Sequence, residues 1–312
     1  MAGLVERLTG ERILSGQKIR EIVVNKAVAV SEQIRAELKV SNEKKMPIIN
    51  TRVEIYNGKE KEILIFDDAI LVKEQKQKRT KSVMKIAARE KEWVSTDVVV
   101  LEKTDGKFEY ITELIDETGK EIISLEEVVK SKIKQEYASN KEALNIVAIT
   151  DGAKAIRYSL LLIFATTITI ILDWYHLEKR TKEFMSMIAQ NKVDKEIHLD
   201  FILYNLWRGK VAEVNIYLET KVVAKNPVRL KELIQYLQKH QSEIIDYEQR
   251  KAFGKTIGSG RGEKAVDQVI GHRQKKKSMS WSTLGSKSLA ILKTLELNNR
   301  WQHIWFPESF AS

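Results

Sequence analysis

The residues of this chain that can do chemistry are acids. There is no cysteine among the 312 residues, so disulfides, thiolate zinc sites and cysteine nucleophiles are excluded. Asp67 and Asp68 sit inside EILIFDDAILVKEQ, between two apolar runs of strand character. A carboxylate there is costly to bury unless it is paired or bound to a metal. Taken alone, the segment reads as a turn between two strands with both aspartates hydrated. Asp151 follows NIVAIT and precedes Gly152. Ligand sites of α/β sheets gather at the carboxyl ends of strands, and Asp-Gly is equally a good turn and helix start. Asp173 and His176 form DWYH after the next apolar run. They are metal-ligand candidates, although a histidine beside Trp174 and Tyr175 is more commonly a packing residue.

Glu263 closes the set. It follows GSGRG, three glycines in five residues, and precedes an apolar-spaced segment and the cationic block HRQKKK. GSGRG matches neither the dinucleotide fingerprint nor the phosphate loop, and no strand pattern leads into it, so a nucleotide-cradling reading lacks its context. The glycines instead end one helix and start another, with Ser259 as N-cap. Glu263 then falls in the first turn, Val266 and Ile270 form the buried stripe, and Asp267 shares the face of Glu263. Arg261, Arg273, Lys275, Lys276 and Lys277 suit a phosphate backbone, and such a cationic block in isolation is also an ordinary solvated face.

The elements that must position these residues follow from periodicity. Residues 1–45 read as helical, with Ser15 as N-cap of a long amphipathic segment. RVEIY and KEILIF flank Asn57-Gly58, a hairpin signal, and ILVKEQ is a further strand. EWVSTDVVVLEK and KFEYITEL flank Asp105-Gly106, a second hairpin. SLEEVVKSKIKQEY opens with a capping box, Ser124 and Glu127. NIVAIT is a buried strand, AKAIRYSLLLIF a helix and TTITIIL another buried strand. From His176 to about Gly254 every segment carries helical spacing, and the stretch from Ser259 on is helical too. The order predicts an α/β core with a helical insertion. Four segments result: 1–45, helical; 46–176, the first part of the core; 177–255, the helical insertion; 256–312, helices completing the core.

Apolar residues make up 43% and charged residues 31% of the chain, a composition that can bury a core. The net charge of +10 favours a polyanionic partner. The longest apolar run, Tyr158–Leu172, is flanked by Arg157 and Asp173 and is shorter than the roughly 20 residues a membrane span needs. No membrane role is expected.

An acid in an early strand, a second acid ending a later strand, a helical insertion and then a glutamate on a helix is the layout of the ribonuclease H-like DDE core. DAILVKEQKQKR, ITDGAKAIR, IILDWYHLEKR, MSMIAQNK, IGSGRGEKAVDQVIGHRQKKKSMSW and GSKSLAILKTLELNNRW carry a more specific likeness. On these stretches the chain resembles bacterial insertion-sequence transposases of the DDE class, a group common in cyanobacterial genomes. The resemblance implies a ribonuclease H-like fold, a mixed sheet flanked by helices, with an all-helical insertion before the last catalytic helix. It implies Asp68, Asp151 and Glu263 as catalytic acids, with Asp67 as the fallback for the first. Asp173 and His176 match the D-x-x-H signature of mutator-like transposases. Two Mg²⁺ or Mn²⁺ ions would be the cofactors. Water would free a 3′-OH at the element end, and that 3′-OH would attack target DNA. The implied partners are double-stranded DNA, element ends and target, and further copies of the chain on DNA, in a cytoplasmic, nucleoid-associated setting. Relatives of this kind carry a longer, often cysteine-rich N-terminal segment, so the resemblance also implies an N-terminally truncated copy. Two rivals accompany it: an inactive remnant that only binds DNA, and a ribonuclease H-like nuclease that hydrolyses without joining.

Overall fold

The computed structural model describes residues 14–75, 93–165, 167–276 and 279–306. The fold is α/β. Five strands form a mixed sheet in the order β3-β2-β1-β6-β7: β1 (Ile63–Lys73), β2 (Trp93–Glu102), β3 (Phe108–Thr112), β6 (Ile146–Thr150) and β7 (Thr169–Leu172). β4 (Leu114–Ile115) and β5 (Glu121–Ile123) pair as a separate ribbon. The described residues fall into two compact units. One draws on Met1–Ile48, Asp67–Glu142 and Gly262–Ser312, the other on Ile49–Phe66 and Ala143–Arg261.

In the first unit, β2 and β3 form the hairpin expected at Asp105-Gly106, pairing Val98 with Thr112 through Glu102 with Phe108. Gly106 takes the positive φ (81°) that the turn requires. Helix α1 (Gly16–Asn42) is capped as expected: the Ser15 hydroxyl accepts from the Lys18 N–H at 3.0 Å. Helix α2 (Leu125–Tyr137) is likewise capped by Ser124, which accepts from the Glu127 N–H. The core of this unit gathers Ala27 and Val30 of α1, Ile115, and Ile291, Leu292 and Leu295 of a late helix, Thr283–Leu297. The Asn298 side chain just beyond that helix both accepts from the Tyr110 N–H and donates to the Tyr110 carbonyl, each at 2.8 Å.

In the second unit, β6 is parallel to the first part of β1, with Ile63, Leu64 and Ile65 opposite Ile146, Val147 and Ala148. β7 is parallel to β6, from Val147–Thr169 to Thr150–Leu172. All five residues of β6 are buried, as a strand covered on both faces must be. Helix α3 (Lys154–Phe164) separates β6 from β7, so the long apolar run splits into a helix and a strand, as expected. No helix of the described residues is long and apolar enough to cross a membrane. The helical block follows: α4 (Trp174–Ile188), α5 (Lys192–Trp207), α6 (Val211–Lys221), α7 (Pro227–Lys239) and α8 (Tyr247–Ala252). Trp174, Trp207 and Tyr247 pack ring against ring, with centroids 4.8–6.1 Å apart. Gly209 breaks α5 from α6. Its φ is +69°, and a Cβ there would lie 2.9 Å from the Ile245 carbonyl carbon.

Two expectations fail. RVEIY is not a strand, and Asn57-Gly58 is not a hairpin. Polar side chains capture this backbone instead. The Asn57 side-chain Oδ1 accepts from the Lys59 N–H, Arg250 donates to the Ile55 backbone carbonyl at 2.9 Å, and Lys255 donates to the Glu60 backbone carbonyl at 2.6 Å. Nor do Asp67 and Asp68 form a turn. KEILIF and ILVKEQ merge into β1, eleven residues without a break. Four fully buried residues precede the two half-buried aspartates, and the strand then alternates, with Ile70 and Val72 buried and Leu71 and Lys73 exposed. Residues 1–13 of the predicted N-terminal helical segment lie outside the described residues.

Candidate active site

Asp68 and Glu263 belong to the first unit. Asp68 follows Asp67 on β1, and its Oδ1 accepts from the Ala69 N–H at 2.8 Å. On neighbouring β2 the Asp97 carboxyl is held above the usual carboxylate range. Burial is the main cause. Glu113 raises it further, Lys287 opposes, and Glu126 and Asp68 add smaller repulsions. Lys287 and Glu113 form an ion pair. Glu263 is exposed on the short helix α9 (Gly260–Val266). Val266 and Ile270 are buried, as the sequence predicts for that face. Asp267 opens a π-helical turn, Asp267–Gly271. Its carboxylate occupies the space a Cβ on Gly271 would need.

The cationic block follows. His272–Gln274 is helical, and Arg273, Lys275 and Lys276 are exposed. The Arg273 guanidinium lies over the Trp281 ring at 5.3 Å. Trp281 in turn pairs with the end of β1, its N–H donating to the Lys73 carbonyl at 2.9 Å. Lys277 lies outside the described residues.

Asp151, Asp173 and His176 belong to the second unit, at the carboxyl ends of β6 and β7. Asp151 is exposed, and its Oδ1 accepts from the Ala153 N–H at 2.8 Å. Gly152 has a φ of +85°, and a Cβ there would meet Leu172 and the His240 ring. His240 is buried and shares a hydrogen bond between its Nδ1 and Glu243 Oε2 at 2.6 Å. Arg157 of α3 faces the other Glu243 oxygen at 2.5 Å. The Glu243 carbonyl accepts the Leu172 N–H. Residues after α7 thus brace the strand ends beside Asp151. Tyr236 stands in this group, 5.0 Å from the His240 ring. Its hydroxyl is pushed up to about 12 by burial. Arg180 opposes, and Asp151, Glu243 and Asp173 push further. Sequence reasoning missed the His240–Glu243 pair, whose only local signal is the three-residue spacing on a helix end.

Asp173 has a different setting. It is 1% exposed. Its Oδ1 caps α4, accepting the His176 N–H at 3.0 Å. Its Oδ2 accepts both the N–H and the hydroxyl of Ser259. His176 Nδ1 stands 3.6 Å from the same oxygen. Ser259, expected to cap α9, therefore turns its hydroxyl to Asp173, because a buried carboxylate is the stronger acceptor.

Among the described residues, no group of three or more His, Asp or Glu side chains is gathered to hold a metal ion. The chain matches no family model, no curated protein and no solved structure.

Proposed function

We propose that this protein is a DDE transposase with a ribonuclease H-like core, cutting and joining the DNA of an insertion sequence. The observation that carries the reading is the sheet. Its order is β3-β2-β1-β6-β7, with the β2–β3 hairpin on one side and β6 and β7 parallel to β1 on the other. Asp68 stands three residues past Ile65 on β1, and Asp151 three residues past its partner Ala148. An acid late on a parallel strand or just past its carboxyl end stands where ligand sites of α/β sheets gather. Glu263, the third acid, is carried by α9 late in the chain. The fold alone would not carry the function; these positions add to it, as does the net charge of +10.

Hard carboxylate oxygens suit Mg²⁺ or Mn²⁺. Asp68, Asp151 and Glu263 would hold the two ions, which supply activation of the attacking oxygen and stabilisation of the leaving one. Exposed Asp151 and Glu263 face the solvent from which DNA arrives. Arg261, Arg273, Lys275 and Lys276 would hold the phosphate backbone, with binding that weakens steeply as salt rises. Copies of the chain would assemble on paired DNA ends in the bacterial cytoplasm.

A second reading is a DNA-binding remnant without turnover, which the net charge of +10 would serve equally well. The deciding experiment uses the purified chain with Mn²⁺ and a supercoiled plasmid bearing the DNA that flanks the coding sequence. Nicked and joined products, both lost in Asp151→Asn and Glu263→Gln, are expected. Salt-sensitive binding without any products would leave the remnant. Nicking without joining would leave a hydrolytic nuclease.

A further inference from the structure

Three consecutive residues at the start of α4 hold three consecutive residues of the glycine-rich loop. Asp173 Oδ2 takes the Ser259 N–H and hydroxyl. The Trp174 N–H donates to the Ile257 carbonyl at 3.1 Å. The Tyr175 ring lies against Gly258 so closely that a Cβ there would stand 2.6 Å from Cδ2. Of the two glycines around Ser259, only Gly258 is sterically required, since a Cβ on Gly260 would meet nothing within 4 Å. Helix α9 begins at Gly260, the residue after Ser259, and carries Glu263.

The geometry points to Asp173 and Ser259 as a clamp that fixes where α9 starts, and so as positioning residues for Glu263. This rests on the reading of Glu263 as a catalytic acid. Asp173 is not built as a metal ligand. Both oxygens already accept hydrogen bonds from protein donors, and the side chain is 1% exposed. A metal would have to displace charge-assisted bonds of the stronger kind. The clamp also gives the glycine-rich loop its purpose: Gly258 passes beneath an aromatic ring, and Ser259 reaches a buried carboxylate.

Asp173→Asn separates the two roles of Asp173. Its amide oxygen can still cap α4, but its amide nitrogen cannot accept from Ser259. Ser259→Ala removes one donor at a half-buried site and serves where the buried change harms folding. Ser259→Thr retains the hydroxyl. Hydrogen exchange on the full chain, followed in peptides covering 257–263 and 174–180, reads the clamp without reference to activity. Nicking of the flanking-DNA plasmid with Mn²⁺ reads its consequence. Exchange in 257–263 should rise on the order of tenfold in Asp173→Asn and Ser259→Ala, as loss of a charge-assisted bond implies, with 174–180 unchanged and Ser259→Thr near wild type. The nicking rate should fall at least about tenfold at unchanged DNA affinity, since a misplaced reacting group loses rate rather than binding.

Unchanged exchange in both variants overturns the clamp. A lost nicking rate with unchanged exchange also overturns it, because Asp173 would then act at the reacting centre itself. Raised exchange with a wild-type nicking rate overturns the positioning role. Raised exchange in the two variants, where the wild-type chain itself never nicks DNA, would leave the clamp standing and sink the transposase reading instead.

Discussion

The carboxyl ends of β6 and β7 carry one aspartate each, and the chain treats them in opposite ways. Asp151 is exposed, with one oxygen turned to the backbone of its own turn. Asp173 is buried, and its two oxygens accept three donors, two of them from a residue 86 positions away. Residue type, strand position and parallel direction are the same. What differs is whether a later segment returns to cover the strand end. A carboxylate left accessible can meet a phosphate or a metal; one saturated with donors has become part of the scaffold. Sheet position nominates a site, and burial decides between chemistry and architecture.

The largest effect is expected where the comparison is most exposed to failure. Asp151→Asn should lower metal-dependent plasmid nicking on the order of a thousandfold or more, the scale at which loss of one catalytic group is felt. Its thermal midpoint should stay within about a degree of wild type, as for other exposed substitutions. A fall of several degrees would mean that Asp151 is scaffold like Asp173. A third carboxylate, Glu62, extends the contrast to the opposite end of β1. Its side chain, 4% exposed, pairs with Arg250, which is 0% exposed and binds both its oxygens, and with Lys255 at 2.9 Å. Glu62→Gln leaves buried cations uncompensated and should cost about 3–5 kcal/mol in urea unfolding.

Asp173→Asn retains one acceptor and should cost less, about 1–3 kcal/mol by the same measurement. A loss as large as that of Glu62→Gln would show that the cap on α4 fails with the clamp. The smallest effect concerns Asp97. Burial, then Glu113, hold its carboxyl above the usual range. A raised folded pKa favours the protonated form, so the stability it contributes is full below the ordinary carboxylate pKa and lost as pH rises through the folded value. Asp97→Asn should therefore raise the thermal midpoint at pH 7 by roughly a degree or two, and the gain should vanish at pH 3. A gain that persisted at pH 3 would show that packing, not charge, sets the effect.

Local signals were legible in the sequence. Ser15 and Ser124 cap the helices they precede, Asp105-Gly106 makes its hairpin, and the apolar run Tyr158–Leu172 divides where its β-branched residues begin. Each depends on neighbours within a few residues. Asn57-Gly58 has the same dipeptide character as Asp105-Gly106 yet makes no hairpin, because Arg250 and Lys255 claim its flanking carbonyls from nearly 200 residues away. The role of Asp173 was hidden for the same reason: a helix cap is readable three residues on, whereas a tether to Ser259 is not. From sequence Asp67 and Asp68 read as a turn because a run of apolar residues ends there. β1 instead loses its double cover at that point and continues half-buried.

The side chain of Asn298 has a further consequence. β3 is the outer strand of the sheet, and an outer strand offers unpaired N–H and C=O groups to any extended segment that drifts past. By donating to and accepting from Tyr110, Asn298 imitates one residue of a sixth strand and occupies that offer. An amide side chain at the end of a helix thus covers one backbone site that an outer strand otherwise leaves open to another chain.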